Sequence, residues 1–247
     1  HNVVITVTGA NDLPTSSAGS ASTTEDTLLT FANNDFSFTD VDGDDTSFSR
    51  IQITTIESTG DLECQNANGE ADGWQDCVAD DYVTAGTSLR LTPAANSVAD
   101  ITFSFKVHDG TAYSASSYVM TVSVTAANDA PTFSATANDL TVNEDTAGTI
   151  TGTTVADIDD SSLTMTVAST QSATFSLATT TGLTFSAGDG TSDNTMTFSG
   201  TTANVNNAIA TVTWTSQLNN NNNAQLSFTV SDGAVSYTHL TLPTIRL

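Results

Sequence analysis

The chain has 247 residues, enough for two domains of ordinary size. Asp and Glu outnumber Lys and Arg 28 to 4, giving a formal net charge of −24 and a pI near 4.1, which excludes nucleic acid and anionic lipid as partners because both carry the same sign. Only 38% of residues are hydrophobic, no apolar run approaches the roughly 18 residues of a membrane-spanning helix, and the abundance of Thr, Ser, Asn and Gly suits strands and turns, so the expectation is all-β.

Val3, Ile5 and Val7 open the chain with the period-2 alternation of a half-buried strand. They lead into Thr8-Gly9-Ala10-Asn11-Asp12-Leu13-Pro14-Thr15, which returns 117 residues later as Thr125-Ala126-Ala127-Asn128-Asp129-Ala130-Pro131-Thr132. Glu25-Asp26-Thr27 returns as Glu144-Asp145-Thr146 after 119 residues, and Asp40-Val41-Asp42 as Asp157-Ile158-Asp159 after 117. Val107-His108-Asp109-Gly110 returns as Val230-Ser231-Asp232-Gly233 after 123. Four blocks repeated in one order define two tandem modules, 11–127 and 128–237, whose Asn-Asp-x-Pro junction is stiffened by proline. Val3, Ile5 and Val7 correspond to Met120, Val122 and Val124, so residues 1–10 read as the last strand and junction of a preceding module in a longer array.

Within module 1, Cys64 and Cys77 bracket a polar loop with no further Cys or nearby His to complete a zinc site. A disulfide there would close a loop of about 14 residues, stabilise by roughly 3 kcal/mol and imply an oxidising, extracytoplasmic setting. Ile101, Phe103, Phe105 and Val107 share one strand face, as do Leu163, Met165 and Val167, and Leu226, Phe228 and Val230. Short strands bounded by Gly, Asn and Asp predict a β-sandwich in each module, with one helical turn at 204–210 capped by Asn204. Phe31, Phe36, Phe38, Phe48 and Trp214 are assigned to packing, Asp44, Asp45, Asp61, Asp80 and Asp81 to solvated surface, and His108 to the surface. Residues 238–247 do not continue the repeat and are expected to be non-native.

The repeated acids form a different group. A hard cation such as calcium takes six to eight oxygens, so a site needs carboxylates brought together from separate segments. The Asn-Asp-x-Pro junction, the Glu of the first strand, Asp-x-Asp, and an Asp before the final hairpin resemble the tandem cadherin-like repeats of large bacterial surface and secreted adhesins, over residues 11–237. The resemblance implies Ig-like sandwiches, calcium between consecutive modules of the same chain, and a role in adhesion. Its complete ligand set falls on Glu25, Asn128, Asp129, Asp157, Asp159 and Asp232, with a half-site at Asn11, Asp12, Asp40, Asp42 and Asp109. Glu144 would await a following module. The acidic motif before the penultimate strand is reduced to Asp100 in module 1 and to the asparagine run 219–223 in module 2, so one ion fits better than three.

Catalysis fits poorly, since the acids recur in both modules and no Gly-x-Ser-x-Gly, His-Glu-x-x-His or phosphate loop is present. The rival reading is a glycan-binding accessory module of a secreted carbohydrate-active enzyme, with Trp74 and nearby Tyr82 offering rings to a sugar. The expectation is therefore a non-enzymatic, extracellular, calcium-binding adhesin fragment whose further ligand is a glycan or another cell-surface molecule.

Overall fold

Alternating burial builds the two units His1–Ala127 and Asn128–Leu247, each around its own core. The computed structural model describes residues 3–42, 46–135, 143, 145–169, 173–219, 224–234 and 236–241. Unit 1 contains β1 (Gly19–Thr24), β2 (Leu29–Thr30), β3 (Arg50–Thr55), β4 (Asp61–Gln65), β5 (Trp74–Asp76), β6 (Tyr82–Val83), β7 (Leu89–Thr92), β8 (Ile101–His108) and β9 (Tyr118–Thr125). One sheet runs β1-β9-β8-β3-β6 and the other β2-β7-β4-β5.

The alternation read from the sequence is the alternation buried. Ile51 and Ile53 of β3, Phe103 and Phe105 of β8, and Met120 and Val122 of β9 pack in one cluster with Leu62 and Cys64 of β4 and Leu89 and Leu91 of β7. Each such side chain removed from water contributes about 1.5–3 kcal/mol. β1 lies parallel to β9, from Gly19 opposite Met120 to Thr24 opposite Thr125. The module's first strand thus runs beside its last, and Glu25 emerges next to the chain's exit toward unit 2.

Unit 2 repeats the plan with β10 (Thr132–Ser134), β11 (Ala147–Thr151), β12 (Thr154–Ala156), β13 (Ser162–Ser169), β14 (Thr174–Leu177), β15 (Thr184–Ala187), β16 (Thr195–Thr201), β17 (Thr211–Thr215), β18 (Leu226–Ser231) and β19 (Ser236–Thr241). Its sheets are β15-β16-β13-β18-β19, β11-β17-β14 and the pair β10-β12. A helix, α1 (Thr202–Ile209), buries Val205, Ala208 and Ile209 in the core that holds Trp214. Both units are all-β sandwiches of the Ig-like kind.

Three expectations need correction. The helix cap is Thr201, whose hydroxyl accepts from the Asn204 N–H at 3.2 Å; Asn204 instead donates its side-chain amide to the Gly182 carbonyl, because the extended residue ending β16 is the one in reach of the first turn. Asp81 is buried, not solvated: its carboxylate accepts from the Asn68 amide at 2.7 Å and the Val78 N–H at 2.9 Å. Left-handed Asp80 (φ 76) turns the chain just before it. His108 is 7% exposed, its Nδ1 accepting from the Gly110 N–H at 2.8 Å and its ring edge-on to Tyr113 at 4.4 Å. Burial, then the charge of Arg50, holds its pKa below the ordinary histidine value against the pull of Asp109.

Residues 238–241 belong to β19, whose backbone pairs with β18 in the last-strand position; such pairing uses N–H and C=O groups and no particular side chain. Residues 242–247, Glu144, Asp44, Asp45 and Asn220–Asn223 lie outside the described residues. At the other end Val3, Val4, Ile5 and Val7 are 81–86% exposed and form no strand.

Cys64 and Cys77 are joined by a disulfide with Cα atoms 5.1 Å apart, tying β4 to the segment after β5. Replacing both with Ala should lower the stability of unit 1 by about 3 kcal/mol, from the loop entropy restored to its unfolded chain. Unit 2 should be unaffected; denaturant titration resolving the two transitions checks both.

Candidate metal centre

One backbone pairing, made twice, places the acids. Thr15 and Thr39 exchange backbone hydrogen bonds at 2.8 and 2.9 Å, and 117 residues on, Thr132 faces Ala156 in the β10–β12 pair. The two threonine hydroxyls donate to the facing carbonyls at 3.2 and 3.1 Å. The junction Asn-Asp therefore runs beside the Asp-x-Asp loop in each module.

The side chains then form the same net in both copies. The Asp12 N–H donates to Oδ2 of Asp42, and the Asp129 N–H to Oδ2 of Asp159, each at 2.8 Å. The Asp42 N–H donates to Oδ1 of Asp40 at 2.8 Å, and the Asp159 N–H to Oδ1 of Asp157 at 2.9 Å. Across from them, the Asn11 amide donates to Oδ2 of Asp109 at 3.1 Å and the Asn128 amide to Oδ2 of Asp232 at 2.8 Å. The remaining Oδ1 of the pre-hairpin acid holds the turn: Asp109 accepts from Thr111 and Ala112 at 2.5 and 2.7 Å, and Asp232 from Ala234 at 2.7 Å. Gly110 and Gly233, at φ 122 and 103, supply the left-handed residue that each turn requires.

Two equivalent atoms stand apart. Oδ2 of Asp40 and Oδ2 of Asp157 are buried and accept no hydrogen bond. An acceptor taken from water and given nothing in return costs about 1–3 kcal/mol, so a second partner is expected at each. Asp109 is also perturbed: burial opposes its ionisation, but the Ala112 and Thr111 N–H groups, the Asn11 amide and the charge of His108 outweigh burial and hold its pKa below the usual carboxylate value.

The structure sorts the twelve candidate ligands by place. Asn11, Asp12, Asp40, Asp42 and Asp109 gather at one end of unit 1, and Asn128, Asp129, Asp157, Asp159 and Asp232 at the matching end of unit 2. Glu25 and Asp100 lie at the other end of unit 1: β8 separates Asp100 from Asp109 by roughly 30 Å. Glu25 is 2% exposed and its Oε1 accepts from the Ala127 N–H at 3.0 Å, whereas Asp100 is exposed. Among the described residues no group of three or more His, Cys, Asp or Glu is drawn close enough to hold a metal ion. Each net is thus an all-oxygen framework that fits a hard cation in donor type while falling short of its six ligands in number.

The proposed sugar platform is altered. The Arg90 guanidinium covers one face of Trp74 at 4.3 Å and is itself held by Glu63 at 2.5 and 2.7 Å, a pairing that lowers the Glu63 pKa. Asp61 on the same strand is pushed upward by burial and by the charges of Asp76 and Glu63.

No family model matches the chain, and no curated protein is similar to it. Among solved structures it is similar to an endo-fucoidan hydrolase of glycoside hydrolase family 107, with 17% identity over 95% of this chain and 28% of that one, at a TM-score of 0.31. It is also similar to extracellular cadherin domains 1–4 of protocadherin gamma B7, with 14% identity over 96% of this chain and 50% of that one, at 0.39. For human protocadherin-24 EC1-2 the values are 16%, 96%, 99% and 0.42. The chain spans about a quarter and a half of the first two. At such values nothing those proteins bind or do transfers to this chain.

Two outcomes follow from these contacts. The unfolded chain binds the Asp109 proton more readily than the folded one, so this carboxylate contributes stability above its ordinary pKa and loses it as pH falls through the lower folded value. Asp109→Asn should therefore lower the melting temperature at neutral pH, and the deficit should vanish in acid, as calorimetry across pH can show. Asp81→Ala should cost about 1–3 kcal/mol by leaving the Asn68 and Val78 donors bare, whereas exposed Asp72→Ala should stay within about 0.5 kcal/mol in urea titration.

Proposed function

We propose that the chain is a pair of cadherin-like repeat modules of a long extracellular surface protein, in which calcium held at the acidic end of each module stiffens an adhesive array. The observation that carries this reading is the net formed identically in both copies, with Oδ2 of Asp40 and of Asp157 buried and lacking a donor at equivalent positions. A divalent cation removes the cost of that bare oxygen and the mutual repulsion of its neighbours. Carboxylate, amide and carbonyl oxygens without thiolate or imidazole select calcium or magnesium over zinc and copper, and flexible loops of this kind suit calcium.

In module 2 the ion would be held by Asn128, Asp129, Asp157, Asp159 and Asp232, and in module 1 by Asn11, Asp12, Asp40, Asp42 and Asp109. Carbonyls and water would add ligands, and the cadherin-like resemblance implies a further carboxylate of the Glu25 type from the module before. The Asn amides and backbone N–H groups hold the carboxylates in place, so little ordering remains to be done on binding. Recurrence of one set of acids in both modules supports a structural role over a catalytic one, which would need a single set. The disulfide supports an oxidising, extracytoplasmic location, and among the described residues no helix is long and apolar enough to cross a membrane.

Extracellular modules bind calcium at about 10⁻⁴–10⁻³ M. Calcium at ten to a hundred times the dissociation constant should therefore stabilise each site by about 1.4–2.7 kcal/mol. Scanning calorimetry with and without a chelator should show this gain in the native chain, and Asp157→Ala should remove the part belonging to unit 2 while Asp72→Ala leaves it intact. A melting profile indifferent to millimolar calcium would return the acids to solvated surface.

A further inference from the structure

Phe36, Phe38 and Phe48, assigned to packing from the sequence, form one side of a cleft of about 310 Å³ in unit 1, within the range of small-molecule sites. Phe36 is its fixed element: 2% exposed, it is edge-on to Phe105 at 5.0 Å and to Phe48 at 6.4 Å. Phe38 and Phe48 pack against the same core but remain half-buried, so part of each ring stays open. The other lining groups are the amides of Asn33 and Asn34 and the hydroxyls of Thr46 and Ser47.

The wall that carries the amides is built in advance. It is a single turn, Asn33–Asp35, closed by the Asp35 carboxylate accepting from the Ala32 N–H at 2.7 Å. Asn33 Oδ1 accepts from the Gly86 N–H at 2.6 Å. Gly86 permits this approach, since a Cβ there would stand 2.5 Å from the Ala32 carbonyl oxygen. Asn34, Thr46 and Ser47 make no hydrogen bond within the described protein, so their donors and acceptors are available to a ligand. Nor does the module's architecture require this cleft. In unit 2, Phe36 and Phe38 are replaced by Thr153 and Val155, both buried, with the Thr153 hydroxyl donating to the Ile209 carbonyl.

We propose that this cleft binds a neutral saccharide ring. Open aromatic surface takes the C–H face of a sugar, while amides and hydroxyls at the rim match its hydroxyls in number and in mixed donor–acceptor character. Among the described residues no acid or base lines the cleft, and the net charge of −24 repels anions. A purely apolar ligand would leave the side chains of Asn34, Thr46 and Ser47 facing it unpaired. The inference does not depend on calcium.

The test is an amide-resolved NMR titration of the full chain, in chelator, with neutral methyl glycosides and disaccharides, with glucuronate as the charged probe and benzyl alcohol as the apolar one. Saturable shifts centred on residues 33–38 and 46–48 for at least one neutral sugar are expected. Phe38→Ala and the exposed Asn34→Ala should each weaken that binding by about tenfold, with the remaining spectrum unchanged as evidence of an intact fold. No shift with any neutral sugar would overturn the proposal. So would shifts centred on Trp74 instead, tighter binding of glucuronate, or benzyl alcohol binding that Asn34→Ala leaves unaltered while no sugar binds.

Discussion

Asp40 and Asp157 are each held by one oxygen and left with the other buried and bare. That constraint organises the polar end of both modules. The held oxygen accepts from the residue two further on, which fixes the Asp-x-Asp turn; the second acid of that turn accepts from the junction backbone, and the junction asparagine reaches the acid before the hairpin. Three separated segments are drawn together with no Lys or Arg among them. In a protein with four Lys and Arg, the proposed function takes most of the counter-charge for such an end from a cation in solution.

The scaffold makes this economical. Parallel pairing of β1 with β9 puts the start and finish of unit 1 side by side, so Glu25 stands against Ala127, the last residue before the next junction. The two cores reach the same end by different means. Unit 1 fastens its second sheet with a disulfide and a cluster of phenylalanines. Unit 2, without cysteine, uses Trp214 and the short helix α1. The acidic net is common to both, and the core beneath it is free to vary.

Much of this was legible in the sequence because two physical signals were strong. Period-2 alternation located the buried faces of β8, β13 and β18, and recurrence of short blocks located the modules and the acids. What stayed hidden depends on contacts made across the fold. Asp81 looks like any acid in a polar loop until the Asn68 amide is brought to it from 13 residues away. His108 looks exposed at a strand end until Tyr113 folds back over it. Phe38 and Phe48 carry the composition of core residues, and only the fold shows that they pack against the core while part of each ring stays open. Glu25 and Asp100 belong to the opposite end from the other module 1 acids, which the direction of β8 settles and spacing along the chain does not.

The central claim is that a cation sits where the bare carboxylate oxygens are. Adding a paramagnetic lanthanide, which occupies oxygen-ligated calcium sites, to the isotopically labelled chain tests this most directly. Relaxation broadening should appear first at the backbone amides of Asp129, Asp159 and Asp160 in unit 2 and of Asp12 and Asp42 in unit 1, before any other part of the spectrum changes. Broadening that instead spreads over the exposed acids, Asp72 and Asp76 among them, or that never reaches the amides beside Asp157, would contradict it.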